Sequence, residues 1–538
     1  MTQYVAEQFT NEEADILRRY FTNLDQPVFA LVNLPEVVKG ALFARYSRSA
    51  KSLRRLFLDE FVGELDISGD MSIDATVGLR RAEELYDRVF FEYGDDSVAQ
   101  LGGVHLACEQ ASNILTKVLE WGRLMSYLEQ STRYIDYLSR IGGRYRYYRD
   151  PEVGESPLSG RYVSDMDRMF ESYGELLPAM TEFYRQHTPK DSSSSDFAYR
   201  QAVRAKALDA VRGLLPAATV SNVGIYGTGQ SYELLLLRMR AHDLPEVQTY
   251  ADLMLTELRK VIPSFLKRVD LEDRGMAWSR YLGDVRESLE SVAGHLLPPD
   301  LPADDVPAVR LVDFDPEAEV KMVASMLYPY THLPEEQLER EVRAMGAEDR
   351  LTVVRAYVGT RANRRHKPGR ALERPFYRFD ILADYGAFRD LQRHRMLTLE
   401  WQRLTPQHGF TCPEAVDAAG CAPLFKEVME RSAALYHLLD RDFTEQASYA
   451  VCLAYKVRFA MSVNARSAMH LIELRTTPQG HSVYRKVGQE MWRLIRDEAG
   501  HTAIAEMMKF VDLSEEPPLG RLDAERRAEQ RRQVEERA

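Results

Sequence analysis

Three cationic or titratable side chains stand in a row at Arg393-His394-Arg395. Arginine forks bind phosphate and carboxylate oxygens in bidentate fashion, so such a row predicts an anion site. The alternative is that these cations complement the negative end of a helix dipole and bond the last carbonyls of that helix. A helix is indeed expected here, because Asp384 is a capping residue and Phe388 and Leu391 recur at helical spacing, which would place the row in the last turn.

A second stretch, residues 121–134, carries hydroxyl, carboxylate and guanidinium groups at close spacing. Ser131 and Arg133, with their backbone N–H groups, offer the donors that a phosphate group accepts. Together the two stretches resemble the flavin-dependent thymidylate synthases, whose signature is Arg-His-Arg-x-x-Ser followed by Glu-x-Ser-x-Arg-Tyr. Neither stretch matches the whole signature, but each holds what the other lacks.

The later stretch keeps the head of this signature, with Thr398 in place of its serine, and replaces the tail by Trp401, Arg403 and Thr405. The earlier stretch has Trp121 and Gly122 where the head should be. Its matches to the rest of the signature are Arg123, Ser126, Glu129, Ser131, Arg133 and Tyr134.

A third segment, residues 464–475, is similar to the family's Asn-x-Arg-Ser run, which is followed by a second arginine nine residues after its own. On a helix, Asn464 and His470 belong to polar faces that are costly to bury without a ligand or partner, although an ordinary solvated face is an equal alternative. The resemblance implies that Asn464 and His470 contact the flavin and that Arg475 contacts the uracil ring. The first copy of this segment has Met239 at the position of Arg475 and is interpreted as degraded.

A basic loop, residues 361–373, precedes the later stretch. Its end resembles the family's His-x-Ser/Thr-x-x-x-Glu loop, offset by about two residues, which implies that Glu373 lies beside the flavin. One interpretation is a solvated loop of like charges; the other is a site for the diphosphate of FAD, which would offset their repulsion. The cations concerned are Arg361, Arg364, Arg365, Lys367 and Arg370.

The organisation of the chain is that of a duplicated domain, with equivalent stretches in the same order about 270 residues apart. With 538 residues and 45% hydrophobic composition, two packed cores are expected. The fold class is α+β, namely two tandem flavin-dependent thymidylate synthase-like domains, helix-rich with small antiparallel sheets. The predicted boundaries are a first domain at 1–294, a Pro/Asp-rich linker at 295–310, a second domain at 311–514 and a charged tail at 515–538. The tail is expected to be either a solvated helix or disordered.

Composition excludes several classes of protein. The net charge of −12 argues against a nucleic-acid binder. No signal peptide and no run of apolar residues long enough for a membrane span is found, so a cytoplasmic protein with no membrane partner is predicted. Four cysteines do not make a disulfide framework, and no metal site is predicted. Glu498-x-x-His501 is interpreted as a helix-surface pair rather than an iron site, and Gly224–Gly229 as a loop or a degraded helix start.

The resemblance implies an FAD enzyme that methylates dUMP, or a closely related pyrimidine nucleotide, using methylenetetrahydrofolate and NADPH as co-substrates. Arg475 and Arg393 would orient the uracil ring and polarise its carbonyl groups. Two alternatives stay open: the same flavin chemistry on a different acceptor, and a nucleotide-binding or scaffold protein without catalysis. The residues expected to bind substrate are Ser131, Arg133, Glu129, Arg212 and Arg475, and those expected to bind cofactor are Arg393, His394, Arg395, Asn464, His470 and Glu373.

The family works as a homotetramer of single domains, so a chain with two domains is expected to form a homodimer that imitates the tetramer. In the family, each active site takes the tail and an arginine before a Leu-Pro pair from one subunit and the head and uracil-binding arginine from another. The first copy keeps Ser131, Arg133 and Arg212, and the second keeps the head and Arg475. This partition predicts two composite nucleotide sites per dimer, each of which uses both groups.

Overall fold

The structure, a computed structural model, describes residues 4–34, 36–62, 100, 102–192, 194–298 and 301–535. The chain divides into two compact units. The first unit consists of Met1–Glu171, Leu215–Ala303 and Arg431–Val451, and the second of Ser172–Leu214, Asp304–Glu430 and Cys452–Ala538. Each unit therefore includes one segment from the other half of the sequence, an exchange that the predicted contiguous domain boundaries do not contain.

Each unit is built on one four-stranded antiparallel sheet. In the first unit the strands are β1 (Val28–Leu31), β2 (Gly103–Ser112), β3 (Ser126–Glu129) and β4 (Val220–Thr228), in the spatial order β1-β2-β4-β3. In the second unit they are β5 (Val309–Phe314), β6 (Phe376–Asp384), β7 (Thr398–Trp401) and β8 (Lys456–Asn464), in the order β5-β6-β8-β7. The two sheets share one topology, which confirms the predicted pair of helix-rich domains with small antiparallel sheets.

Helices cover these sheets, and their apolar residues form the cores. The α-helices before the linker are α1 (Asn11–Leu17), α2 (Glu36–Tyr46), α3 (Leu53–Glu60), α4 (Asn113–Leu119), α5 (Pro151–Glu155), α6 (Ser159–His187), α7 (Asp196–Val211), α8 (Gly229–Arg240), α9 (Pro245–Arg259) and α10 (Gly275–Leu296). Those after it are α11 (Ala318–Leu327), α12 (Glu335–Ala344), α13 (Ala347–Val358), α14 (Tyr385–Leu391), α15 (Glu414–Ala418), α16 (Ala422–Leu439), α17 (Ala465–Arg475), α18 (Ser482–Arg493), α19 (Thr502–Met507) and α20 (Leu522–Glu535). Shorter helical turns occupy Arg212–Leu214, Pro263–Asp270, Tyr328–Tyr330, Arg370–Glu373, Gln446–Ala450 and Leu494–Glu498.

A capped strand-to-helix turn positions the cationic row. The side chain of Asp384 accepts a hydrogen bond from the backbone N–H of Ala387 at 2.6 Å, so the predicted cap is confirmed. The prediction that the row lies in the last turn of this helix is wrong, because α14 ends at Leu391 and Gln392 is its C-cap. The row instead forms the connection between α14 and β7.

Two further predictions need correction. Residues Gly224–Thr228 are the end of strand β4, and only Gly229 begins a helix, so the loop interpretation of this segment is wrong. Glycine is required at 224 because a Cβ atom there would lie 2.3 Å from the Phe43 ring. His501 is buried and shares a 2.9 Å hydrogen bond with the Tyr377 hydroxyl, so it is not a helix-surface residue.

The ends of the predicted linker and tail are also visible. Helix α10 continues to Leu296, and strand β5 begins at Val309. The tail contains helix α20, in which Arg526 contacts Asp191 and Ser194 beside the start of α7. Of the two states proposed for the tail, a helix is the one observed for Leu522–Glu535. Within the described ranges, no helix is both long enough and apolar enough to cross a bilayer.

Candidate functional site

Three arginines of the second unit converge on one carboxylate, that of Asp390 in α14. The two oxygens of this carboxylate lie 3.5 Å from Arg212 Nη1 and 3.7 Å from both Arg393 Nη1 and Arg475 Nη1. Arg475 also donates a hydrogen bond from Nη2 to the backbone carbonyl of Asp390. One unit thus brings together Arg393 of the row, Arg475 and Arg212, which comes from the first half of the sequence.

Arg475 also links this group to two histidines. Its Nε donates a 2.9 Å hydrogen bond to Nε2 of His394, and the rings of His394 and His470 lie 5.4 Å apart in an edge-on arrangement. An imidazole that accepts at Nε2 is neutral and carries its proton on Nδ1. His394 therefore presents an uncharged N–H donor, and its other nitrogen is held in place by an arginine.

The electrostatics of this group show a surplus of positive charge. Burial, followed by the charges of Arg475 and His470, holds the pKa of His394 well below its ordinary value. Burial and the charges of Lys367, Arg364 and Arg475 lower the pKa of His470 to about 4. Burial and the charges of Arg466 and Arg364 also lower the pKa of the Lys367 ammonium. Neighbouring cations disfavour protonation of all three bases, which is the condition that a bound anion would relieve.

The basic loop is anchored to α17 through ion pairs. Glu373 accepts a 3.0 Å hydrogen bond from Nη1 of Arg466, whose Nε donates to the carbonyl of Pro368. Arg361 forms a buried bidentate pair with Glu473, with both N–O distances at 2.7 Å. The interpretation of a wholly solvated loop is therefore wrong at Arg361, because its charge is compensated inside the unit. Lys367 and Arg370 are exposed, as that interpretation expects.

Arg212 is held in place by a second group of acids. Its Nε lies 3.4 Å from Oδ1 of Asp209. The other oxygen of Asp209 lies 2.9 Å from Nδ1 of His481, and Nε2 of that histidine lies 3.6 Å from the helix cap Asp384. The Nη2 atom of Arg212 is buried and has no hydrogen-bond partner. Sequence reasoning grouped Arg212 with Ser131 and Arg133, whereas it lies in the second unit among the residues of the later stretch.

The remaining residues of the predicted cofactor set have distinct positions. Asn464 is the N-cap of α17, and its side-chain oxygen accepts from the backbone N–H of Ser467 at 2.8 Å. Arg395 is exposed on the connection between α14 and β7. Asn464 therefore has a structural role that its type and spacing explain without a ligand, while Arg395 faces solvent next to Arg393.

The predicted substrate residues of the earlier stretch lie in the first unit. Ser131 Oγ accepts from the backbone N–H of Arg133 at 3.3 Å, which shapes a tight turn after β3. Glu129 is buried and lies 3.2 Å from the ammonium of Lys117, which also pairs with Glu120 at 2.5 Å. The carboxylate of Glu129 is thus engaged by a buried cation of its own unit.

Sequence reasoning missed Asp390, His481 and Asp209. Asp390 precedes Arg393 by three residues, a spacing that favours an ion pair, and this signal was available. The pair of His481 and Asp209 is separated by 272 residues, and no local pattern predicts it. In the described ranges, no group of three or more His, Cys, Asp or Glu side chains is placed to hold a metal ion.

Comparison with known proteins shows to which family the chain belongs. The sequence model of the family described as thymidylate synthase complementing protein matches residues 44–264 and again 310–500. The chain belongs to this family. The double match confirms that the chain carries two tandem copies of the domain of this thymidylate synthase complementing family.

Relatives of similar length accompany the family match. A UPF0159 protein of Chlamydia muridarum (strain MoPn / Nigg) is 41% identical over 527 residues, which cover 96% of this chain and 98% of the relative. A UPF0159 protein of Thermoplasma acidophilum is 31% identical over 514 residues, covering 90% of this chain and 97% of the relative. The two-domain architecture of this family member therefore recurs in full-length relatives.

Among solved structures, the chain is similar to a flavin-dependent thymidylate synthase ThyX from Helicobacter pylori, complexed with FAD and dUMP. The sequence identity is 17%, the match covers 38% of this chain and 100% of that chain, and the TM-score is 0.29. Membership of the thymidylate synthase complementing family rests on the sequence matches.

Proposed function

We propose that this chain methylates dUMP, or a closely related pyrimidine nucleotide, in a reaction that uses FAD, methylenetetrahydrofolate and NADPH. The observation that supports the proposal is the cationic group of the second unit, in which Arg212, Arg393 and Arg475 lie within 3.5–3.7 Å of the single carboxylate of Asp390. A site with this surplus charge fits the diphosphate of a dinucleotide or the phosphate of a nucleotide. Family membership supplies the reaction class.

The chain's own residues fit a flavin cofactor in the second unit. We propose that Arg393, His394, Arg395, Asn464, His470 and Glu373 hold it. The Lys367 ammonium and the Arg466 guanidinium, which donates to Glu373 at 3.0 Å, add positive charge to the same group. When bound, reduced flavin supplies a hydride and methylenetetrahydrofolate supplies the one-carbon unit. The protein contributes binding, orientation and a neutral His394 that donates from Nδ1.

The nucleotide end of the proposed site depends on arginines. Arg475 and Arg393 would orient the uracil ring and polarise its carbonyl groups, and Asp390 lies 3.7 Å from both guanidinium groups and keeps them side by side. Arg212, Ser131, Arg133 and Glu129 complete the proposed substrate set. Arg212 suits this role because its buried Nη2 atom has no partner.

Purified protein provides a direct test. The proposal expects the visible absorbance spectrum of oxidised flavin in the purified protein, saturable dUMP binding in calorimetry, and transfer of label from methylenetetrahydrofolate to dUMP in the presence of NADPH. Absence of both flavin absorbance and dUMP binding would reject the proposal. Flavin and dUMP binding without label transfer would indicate a nucleotide-binding protein that has lost catalysis.

One observation favours a different acceptor as the second candidate. Trp401 replaces a polar residue of the family tail and packs against Phe388 with ring centroids 5.5 Å apart. A bulky indole at this position changes the shape of any pocket beside the row. Growth of a thymidine auxotroph that carries this gene would favour dUMP, and failure to grow with an active flavoprotein would favour another pyrimidine.

From the partition of motifs along the sequence, we also propose that the chain forms a homodimer in which each nucleotide site needs both groups of residues. Loss of a bidentate arginine costs on the order of 2–5 kcal/mol, enough to abolish binding at micromolar nucleotide. Arg133→Ala and Arg475→Ala should therefore each remove all dUMP binding in calorimetry. If either variant binds half the normal amount of dUMP at normal affinity, the two groups serve independent sites.

A further inference from the structure

Helix α10, which belongs to the first unit, exposes a continuous apolar stripe. Its large apolar residues recur every three or four positions, the spacing of one helix face. The exposed fractions are 47% for Trp278, 62% for Tyr281, 64% for Leu289, 51% for Val292 and 69% for Leu296. Val285, which is 39% exposed, belongs to the same face. A soluble helix normally turns such a stripe towards a core.

Only the first half of α10 is attached to the described part of its unit. Ser279 donates to the carbonyl of Leu237 at 3.2 Å, and Arg286 donates to the Ala241 carbonyl and to Asp243. Every residue from 287 to 298 is exposed. Most helical stability in proteins comes from the packing of an apolar face, so a helix end that is exposed all round calls for a partner.

We infer that the α10 stripe is a contact surface for a second copy of this chain. The helix has 22 residues and is therefore about 33 Å long. The exposed parts of the apolar side chains on this stripe amount to at most roughly 600–700 Å² per chain, close to the roughly 800 Å² that each partner buries in a standard stable interface. A second copy offers a complementary surface of the same length and chemistry, as a twofold contact requires.

Charge favours an antiparallel arrangement of the two helices. Asp284 and His295 are eleven residues apart, three turns of helix, so they lie on the same edge of the stripe. Antiparallel pairing centred near Leu289 places Asp284 of one chain beside His295 of the other, on both sides of the twofold axis. Parallel pairing would instead set this edge of the helix against the opposite edge of its partner, so the contact between Asp284 and His295 would not form.

Sedimentation velocity on the full-length protein tests this surface. Leu289→Arg puts a charge at the centre of the stripe, whereas Ser291→Arg adds the same charge about 160° away around the same exposed turn. We expect the wild type and Ser291→Arg to sediment with twice the chain mass and Leu289→Arg with the mass of one chain. Circular dichroism melting should be unchanged for both variants at a concentration where all are monomeric, since neither residue is in a core.

Cysteine cross-linking distinguishes the orientation and the other possible occupants. Leu289→Cys should give a covalent dimer under mild oxidation, and Trp278→Cys, far from the proposed twofold axis, should not. Cross-linking at both positions would reject the antiparallel arrangement. A monomeric wild type, or a dimer whose mass and cross-linking do not respond to position 289, would overturn the proposal and leave the stripe to another segment of the same chain. A monomeric wild type would also contradict the proposed homodimer, whereas a dimer that does not respond to position 289 would reject this surface alone. Flavin absorbance and nucleotide binding test the proposed activity separately.

Discussion

The two units present opposite electrostatics at equivalent positions of one topology. Counting from the N-cap residues Ser112 and Asp384, Lys117 in the first unit corresponds to Arg389, and Val118 corresponds to Asp390. In the first unit, Lys117 is neutralised by two buried glutamates at 2.5 and 3.2 Å. In the second unit, Asp390 is the one acid at which three arginines meet. In these two groups the first unit therefore has more acid than base, and the second has more base than acid.

The two units also differ in how side chains pack at equivalent positions. The counterpart of Arg475 in the first unit is Met239, which is fully buried. A Cβ atom on Gly229, the first residue of α8, would lie 2.7 Å from the side chain of Phe265, so an aromatic side chain fills the space beside this helix start. A core filled in this way gains stability from apolar burial but has no donors for an anion. At this helix the first unit is therefore packed with apolar side chains, whereas the second unit carries a charged side chain at the equivalent position.

The largest loss of stability is expected from a substitution in the buried ion-pair group of Lys117 in the first unit. Lys117→Met leaves Glu120 and Glu129 buried without their cation. Breaking a buried ion pair by removing one partner costs about 3–5 kcal/mol, so the free energy of unfolding in urea should fall by that amount at neutral pH. Lys51→Met, which removes an ammonium that is 53% exposed and 2.7 Å from the partly exposed Asp59, is the matched control and should cost less than about 1 kcal/mol. Equal losses for the two variants would show that the buried triad carries no special weight.

A smaller loss of stability is expected when Asp390 of the second unit is replaced by valine, the residue at the equivalent position of the first unit. Asp390→Val leaves Arg212, Arg393 and Arg475 without their common carboxylate and should lower the free energy of unfolding by about 2–4 kcal/mol. Added pyrophosphate should restore more stability to this variant than to the wild type, because an anion can replace the lost charge. Asp380→Val, which breaks the partly exposed pair with Arg458 at 2.8 Å, should cost about 1 kcal/mol or less and show no such rescue. If pyrophosphate stabilises both variants equally, Asp390 does not organise an anion site.

Local patterns predicted much of this comparison. The Asp384 cap and the helix of residues 465–475 follow from short-range spacing, and the structure contains both. The exchange of segments could not be predicted in the same way. Arg212 meets Asp390 across 178 residues of sequence, and neither residue's neighbours specify the other. The row was predicted to lie in a helix because the residues before it keep helical spacing. The chain must however leave α14 to enter β7, and only six residues connect the two elements.

Two buried titratable side chains, Glu246 in the first unit and His481 in the second, predict that the stability of the fold depends on pH. Burial raises the pKa of Glu246 in the first unit to about 7, although Ser112 and Tyr449 donate hydrogen bonds to it. An acid with a raised pKa stabilises the fold below its ordinary value of 4.5, and that contribution is lost as the pH rises towards 7. The wild type should lose about 2–4 kcal/mol over this window in urea unfolding. Glu246→Gln should remove most of the slope.

The second unit supplies an internal control for that slope. Burial alone would lower the pKa of His481, but the charge of Asp209 and hydrogen bonds to Asp209 and Asp384 raise it above its ordinary value of 6.5. A base with a raised pKa also loses its stabilising contribution as the pH rises, but only above about pH 6.5. The Glu246→Gln variant should therefore keep a residual loss above that pH. A wild-type slope of opposite sign between pH 4.5 and 7 would contradict the burial of a protonated Glu246.

The smallest effect concerns a single proton in the second unit. The pKa of His470 is about 4 because burial and the charges of Lys367, Arg364 and Arg475 oppose its charged form. A bound phosphate or diphosphate offsets these charges, so saturating pyrophosphate should raise this pKa by at least one unit, or about 1.4 kcal/mol of interaction. Titration of the imidazole signals by NMR measures the shift, and His470→Asn identifies the signal. His408 is the matched control, because its pKa is lowered by burial and by Arg458 and Lys456, outside this group, and it should not respond to pyrophosphate. If both histidines shift equally, the anion acts through ionic strength and not through a site in the second unit.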